Sequence, residues 1–163
     1  ASTGLKLGPL VTLARLAADP LVRSLAPALA EAAGRAATPQ VRNVATLGGN
    51  LLQRPRCWYF RADASEQAPC RKRGGDACFA VDGQHAVFGN STCAIVHPSS
   101  AAVPLVALGA TVELTGPKGA RTLLLEEFFT TPEEDVTREN SIAPDELVTS
   151  VVVAPWATSP KMR

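Results

Sequence analysis

Residues 43–100 constrain this chain more than any other stretch. All four cysteines, both histidines, the only tyrosine and one of the two tryptophans lie inside it. The stretch opens with Asn43-Val44-Ala45-Thr46-Leu47-Gly48-Gly49-Asn50-Leu51-Leu52 and closes with His97-Pro98-Ser99-Ser100. Its apolar residues are too few and too unevenly spaced to pack by themselves. A glycine-rich turn therefore feeds a long loop that needs something besides side-chain packing to order it.

The cysteines are Cys57, Cys70, Cys78 and Cys93, in the pattern C-x12-C-x7-C-x14-C. A zinc ribbon uses close CxxC pairs, and a bacterial ferredoxin uses a compact run; neither spacing is present. Wide spacing means that the loop wraps its site, so ligation of a metal or cluster would order it. Arg54, Arg56, Arg61, Arg71, Lys72 and Arg73 lie near these cysteines. Cations favour thiolates and offset the charge of a tetrathiolate centre. Gly74, Gly75, Gly83 and Gly89 permit the turns a wrapping loop requires. Two disulfides, in any of three connectivities, or buried free thiols stand as alternatives.

His85 and His97 share the loop, but four cysteines already fill a tetrahedral or cubane site. Both histidines are expected to be structural and hydrogen-bonded. Trp58, Tyr59 and Phe60 directly follow Cys57, where aromatics exclude water from a cluster; stacking on a flavin is their second possible use. In Thr46-x-Gly48-Gly49-Asn50, adjacent glycines allow positive φ and close approach of a ligand. Their N–H groups can line an anion site, and Thr46 and Asn50 add a hydroxyl and an amide. The plain alternative is an ordinary turn.

The flanks read as scaffold. Leu5–Leu7 is expected to be a strand stopped by Gly8-Pro9. A short helix follows, capped by Thr12 and stopped by Pro20. Ser24 is expected to cap a second helix to about Ala37, with Pro27 in its first turn, and a short extended piece should lead to Thr46. After the middle, Ala101–Leu108 reads as a helix, and 110–114 with 121–125 as a hairpin around Gly116–Gly119. A short helical piece over 126–129, a solvated polar loop over 130–141 and a last strand ending at Val153 complete the pattern. Helices grouped before hairpin-joined strands predict an α+β domain with a mostly antiparallel sheet. The expected division is a domain over 1–156 with the cysteine loop inserted at 53–97, then a tail over 157–163.

With 163 residues, 46% apolar and 19% charged, the chain suffices for one domain with a real core. A net charge of +1 implies no general attraction to nucleic acid or membranes, and no run is long enough to span a bilayer. The first residues, Ala-Ser-Thr-Gly, lack the charged start and apolar segment of a signal peptide. They run almost directly into a strand, so the expectation is a piece of a longer polypeptide. In a reducing compartment, clustered cysteines serve metal more often than disulfides.

Taken together, these residues resemble the FAD subunits of molybdenum hydroxylases, the xanthine dehydrogenase family. Gln40-Val41-Arg42-Asn43-Val44-Ala45-Thr46-Leu47-Gly48-Gly49-Asn50 is similar to that family's second flavin motif. His97-Pro98-Ser99-Ser100 resembles its Pro-Ser-Asp motif, displaced by an insertion of about 45 residues, with Ser100 in place of the acid. Leu51-Leu52-Gln53-Arg54-Pro55-Arg56-Cys57 resembles the branch whose FAD subunit carries an extra 4Fe–4S cluster, the bacterial periplasmic-type aldehyde oxidoreductases. Leu5-x-Leu7-Gly8 and Asp145-Glu146-Leu147-Val148 resemble the flanking strands. The family's Ala-Gly-Gly-Thr-type pyrophosphate loop is not among these residues. The resemblance therefore implies the second subdomain of a PCMH-type FAD-binding domain, which should bind FAD poorly alone.

On that resemblance, Thr46, Gly48, Gly49, Asn50, Arg56, Ser100 and Val148 contact FAD. Cys57, Cys70, Cys78 and Cys93 ligate a 4Fe–4S cluster, and no residue acts as catalytic acid, base or nucleophile. The implied function is electron transfer in an oxidoreductase of aldehydes or N-heterocycles. The implied partners form a heterotrimer with it, a molybdenum-cofactor subunit and a 2Fe–2S subunit. The expected location is cytoplasmic, or periplasmic by co-export with a partner. A module outside redox chemistry, its four cysteines holding structural zinc, is the reading from a different class.

Overall fold

The structure is a computed structural model that describes residues 4–62, 69–80, 85–89 and 92–155. The predicted 157–163 tail and Gly83 lie outside these residues. In chain order the elements are β1 (Leu5–Leu7), α1 (Leu13–Ala18), α2 (Pro20–Leu25), α3 (Pro27–Arg35), α4 (Pro39–Val44), α5 (Leu47–Leu51) and α6 (Trp58–Arg61). A 3-10 turn at Arg71–Arg73 comes next, then α7 (Ala102–Ala107), β2 (Thr111–Gly116), β3 (Gly119–Leu124), α8 (Leu125–Phe128) and β4 (Leu147–Val153). The described residues form two compact units, one from 4–52, 99–128 and 142–155, the other from those within 53–98 and 129–141.

The first unit is the predicted α+β fold. Its four strands run in the order β1-β4-β2-β3, with every pair antiparallel. The hairpin forms where expected, in register from Thr111 opposite Leu124 to Gly116 opposite Gly119. Gly119 takes φ +114°, a backbone that side chains resist, so glycine is needed to close this turn. Val112, Leu114 and Val151 bury one face of the sheet, and Leu13, Leu16, Leu29, Leu105 and Phe128 bury the helices. Each such side chain contributes about 1.5–3 kcal/mol on leaving water.

The helices depart from expectation at their starts. Thr12 caps α1 as predicted, its Oγ1 accepting from Arg15 N. Pro20 does not stop helical structure, because Asp19 re-caps it. Asp19 Oδ1 accepts from Leu21 N and Val22 N, and Pro20 becomes the first residue of α2. Ser24, the predicted cap, lies inside α2, and α3 starts on Pro27 with no side-chain cap. The extended piece expected before Thr46 is instead α4, started by Pro39 and capped by Thr38. Proline has no N–H to lose in a first turn and arrives with helical φ, so each of these prolines opens a helix.

The second unit has a thin core. Cys57, Ala80 and Ala94 are buried, and Tyr59, Phe60, Cys78 and Ile95 pack on them. Arginines tie the backbone around it. Arg61 Nε donates to Pro55 O at 2.7 Å, Arg71 Nε to Asp76 O at 3.0 Å, and Arg73 Nη1 to Ala62 O. The Arg54 guanidinium lies over the Phe60 ring, 4.7 Å from its centroid. Gly74 sits at φ +87°, and a Cβ on Gly75 would fall 2.1 Å from Pro69 O, so both glycines are required there. The 130–141 loop is only partly solvated, as predicted for Glu133 and Glu134. Beyond them the chain turns inward: Phe129 bridges Asn140, and the Glu139 side chain is 8% exposed.

Candidate functional site

In the first unit, the glycine-rich motif is the start of a helix. Thr46 is the N-cap of α5, and its Oγ1 accepts from Gly49 N at 3.1 Å. Gly48 N donates to Pro9 O at 2.8 Å. Both glycine N–H groups are thus used within the protein, which corrects the expected anion cradle. Neither glycine has positive φ. Gly48 is needed for close approach instead, since a Cβ there would stand 3.0 Å from Pro9 Cβ and 3.1 Å from Pro9 O. Leu47 and Leu51 are fully buried and anchor the turn.

Asn50 connects this turn to the second motif. Its Oδ1 accepts from Ser99 Oγ at 2.8 Å and from Ala101 N at 3.0 Å. Ser99 Oγ in turn accepts from Ala102 N at 3.0 Å, at the start of α7. Residues some fifty positions apart are therefore held as one surface. Gly49 and Ser100 are its exposed members, and neither carries a bulky side chain. Val148 is buried on β4, opposite Leu114.

In the second unit, all four cysteines are free thiols, so the disulfide alternative is not realised. Cys57 and Cys93 are buried, Cys70 and Cys78 partly so. Cys57 and Cys78 belong to one apolar cluster, and Cys70 pairs with Ala77 just before Cys78. Burial pushes the Cys93 thiol up; nearby Cys78 and Cys70 push the same way, while the Ile95 backbone and Lys72 oppose. Among the described residues, no three of the histidine, cysteine, aspartate and glutamate side chains are close enough to hold a metal ion.

Lys72 is buried within the same unit. Its side chain is 2% exposed, and its ammonium reaches Glu139 Oε1 at 2.9 Å and Arg138 O at 3.1 Å. Arg54 grips the same carboxylate, with Nε 2.9 Å from Oε2, and also donates to Thr137 O. Arg56, Cys57, Trp58, His85, Ile95, Val96 and Pro98 line a cleft of about 470 Å³. Arg56 itself reaches Gln53 Oε1 at 3.4 Å. Tyr59 and Phe60 cover Cys57 as expected, but Trp58 is 86% exposed and shields nothing. His97 packs against Phe129, the ring centroids 4.8 Å apart.

Residues 1–156 match the family model described as the FAD binding domain in molybdopterin dehydrogenase. The chain belongs to that family. It is 41% identical over 158 residues to the aldehyde oxidoreductase FAD-binding subunit PaoB of Escherichia coli (strain K12), covering 93% of this chain and 49% of that protein. It is 27% identical over 147 residues to the nicotinate dehydrogenase FAD-subunit of Eubacterium barkeri, covering 90% of this chain and 35% of that one. The fold is similar to that in reconstituted CO dehydrogenase from Oligotropha carboxidovorans, with TM-score 0.60 and 21% identity over 95% of this chain and 38% of that chain. The chain thus spans half or less of the relatives it matches.

Within this FAD-binding domain, the structure brings together Thr46, Gly48, Gly49, Asn50 and the Ser99–Ser100 turn. Two residues escaped sequence reasoning. Ser99, not Ser100, is the serine bonded to Asn50, although Ser100 occupies the motif's acidic position. Glu139 looked like one more solvated acid. Only its place between Arg54 and Lys72 distinguishes it, and sequence carries no signal for that.

Proposed function

We propose that this chain is the flavin-site portion of an electron-transfer subunit in a molybdenum-containing oxidoreductase of aldehydes or N-heterocycles. The observation that carries this reading is the Asn50 joint, which makes one surface of the two motifs in a chain 41% identical to an FAD-binding subunit. Thr46, Gly48 and Asn50 shape that surface, and Gly49 and Ser100 present backbone and a hydroxyl to FAD. Arg56 and Val148 remain assigned to flavin contacts on resemblance alone. When bound, the flavin supplies the redox chemistry, and the protein supplies position and hydrogen bonds.

Cys57, Cys70, Cys78 and Cys93 ligate a 4Fe–4S cluster in this reading. The donor set is four reduced thiols of one unit, two of them buried; no three of them stand close enough here to hold a metal ion, so the cluster assignment rests on the resemblance. The subunit works with a molybdenum-cofactor subunit and a 2Fe–2S subunit as a heterotrimer. Its compartment is the cytoplasm, or the periplasm by co-export, which cell fractionation distinguishes.

Anaerobic purification of the native complex tests the assignment. The expected result is one FAD and four irons with four acid-labile sulfides for each copy of this chain, beyond the iron of the 2Fe–2S partner. Replacing Cys78 with serine removes that iron while FAD stays. Zinc in place of the four irons would support the non-redox cysteine site and overturn the cluster assignment.

A further inference from the structure

We propose that Ser99 is a positioning residue for the flavin: its hydroxyl proton, given to Asn50 Oδ1, fixes the amide so that Asn50 meets FAD with its NH2 end, as a hydrogen-bond donor. This inference rests on the flavin-site reading above and names which end of Asn50 that site uses.

An asparagine amide has an accepting end, Oδ1, and a donating end, Nδ2. The two ends have nearly the same shape, so the neighbours decide which one faces inward. Here they leave one arrangement. A backbone N–H can only donate, so the amide atom 3.0 Å from Ala101 N is the oxygen. Ser99 Oγ accepts from Ala102 N at 3.0 Å and directs its own proton to Asn50 Oδ1, 2.8 Å away. A reversed amide would set Nδ2 against the Ala101 N–H, donor against donor. Every proton in this chain of three hydrogen bonds is therefore assigned.

Ser99 is 3% exposed and Ala101 fully buried, so the accepting end of Asn50 lies in the interior. Asn50 as a whole is half-buried and follows exposed Gly49. The end turned away from the joint is the one this surface offers to a ligand. An amide nitrogen carries two protons, so one serves a ligand even where the protein holds the other. FAD presents acceptor oxygens on its ring and its pyrophosphate, and a donor suits either. Ser99 touches no flavin in this account. It acts through Asn50, by denying the amide its other orientation.

The test measures the FAD affinity of the native complex, stripped of flavin and titrated by the quenching of FAD fluorescence, beside its thermal midpoint. Asn50→Asp keeps an oxygen for Ser99 and Ala101 but turns a second oxygen, in place of NH2, to the ligand. Its dissociation constant for FAD should rise about tenfold, with the thermal midpoint unmoved. Ser99→Ala releases one of the two groups that pin the amide and should weaken FAD binding about fivefold. In the Asn50→Asp background, Ser99→Ala should weaken it no further, because a carboxylate has two like ends and no orientation to fix. A merely structural serine would cost the same in both backgrounds, and that result overturns the proposal. So does wild-type FAD affinity in either single variant, which keeps the test decisive if one of them does not assemble. Wild-type complex that binds no FAD overturns the flavin-site reading itself, a result distinct from variants that bind it as tightly as wild type.

Discussion

At the scale of single residues, Ala37 and Asn50 show what side chains decide. Ala37 is the one non-glycine with a left-handed backbone among the described residues, at φ 45°. The Arg42 guanidinium stabilises that turn by donating to Ala36 O at 2.8 Å and Ala37 O at 3.1 Å. A Cβ in this conformation costs about 1–2 kcal/mol, partly offset by the entropy that glycine loses. Ala37→Gly should therefore raise stability by about 0.5–1 kcal/mol, read as a higher urea midpoint at unchanged slope. A lower midpoint would mean the turn is unstrained. Asn50→Ala should cost about 1–3 kcal/mol by orphaning Ser99 Oγ and Ala101 N, and FAD content should fall while extra iron stays.

The motif containing Asn50 was legible as a sequence, but its role was not. The expectation placed its amide and the glycine N–H groups against a ligand. Instead the carbonyl end of Asn50 holds the neighbouring turn, and Gly48 gives its N–H to Pro9. Which group faces inward depends on residues far along the chain, such as Pro9 and Ser99, that no local pattern includes.

At the scale of elements, β1 to β4 and α1 were readable because alternation and a Thr cap are local signals. The prolines misled, because a stop and a start share the same residue. What distinguishes them is the residue before: Asp19 and Thr38 turn Pro20 and Pro39 into helix openers. In α5, Gly48→Ala should push the helix off Pro9 at a cost of about 1–3 kcal/mol, with a matching loss of FAD. The start of β4 carries a bidentate pair, with Arg121 Nε 2.7 Å from Glu146 Oε1 and Nη2 2.8 Å from Oε2. The Arg121 guanidinium, helped by Ala143 N–H, lowers the Glu146 carboxyl to about 2. An unfolded glutamate titrates near about 4.3. Between those values the unfolded chain binds the proton and the native one does not, so stability falls as pH drops. Acid unfolding of Glu146→Gln should lose that part of the slope; an identical slope would mean the pair is not formed in solution.

At the scale of the molecule, the cysteines announced a site, and their spacing announced a wrapping loop. The segment that completes their unit did not announce itself. Residues 129–141 group with 53–98, and among their contacts is Glu139, which lies far in sequence from the Arg54 and Lys72 it pairs. Acidic residues in a polar loop look alike until tertiary contacts choose one. The function of the whole unit turns on what the four thiols hold. X-ray anomalous scattering at the iron edge, from crystals of the native complex, measures this most directly. The predicted result is an iron peak enclosed by the Sγ atoms of Cys57, Cys70, Cys78 and Cys93. A peak there that appears only at the zinc edge, or no metal peak among those sulfurs, would contradict it.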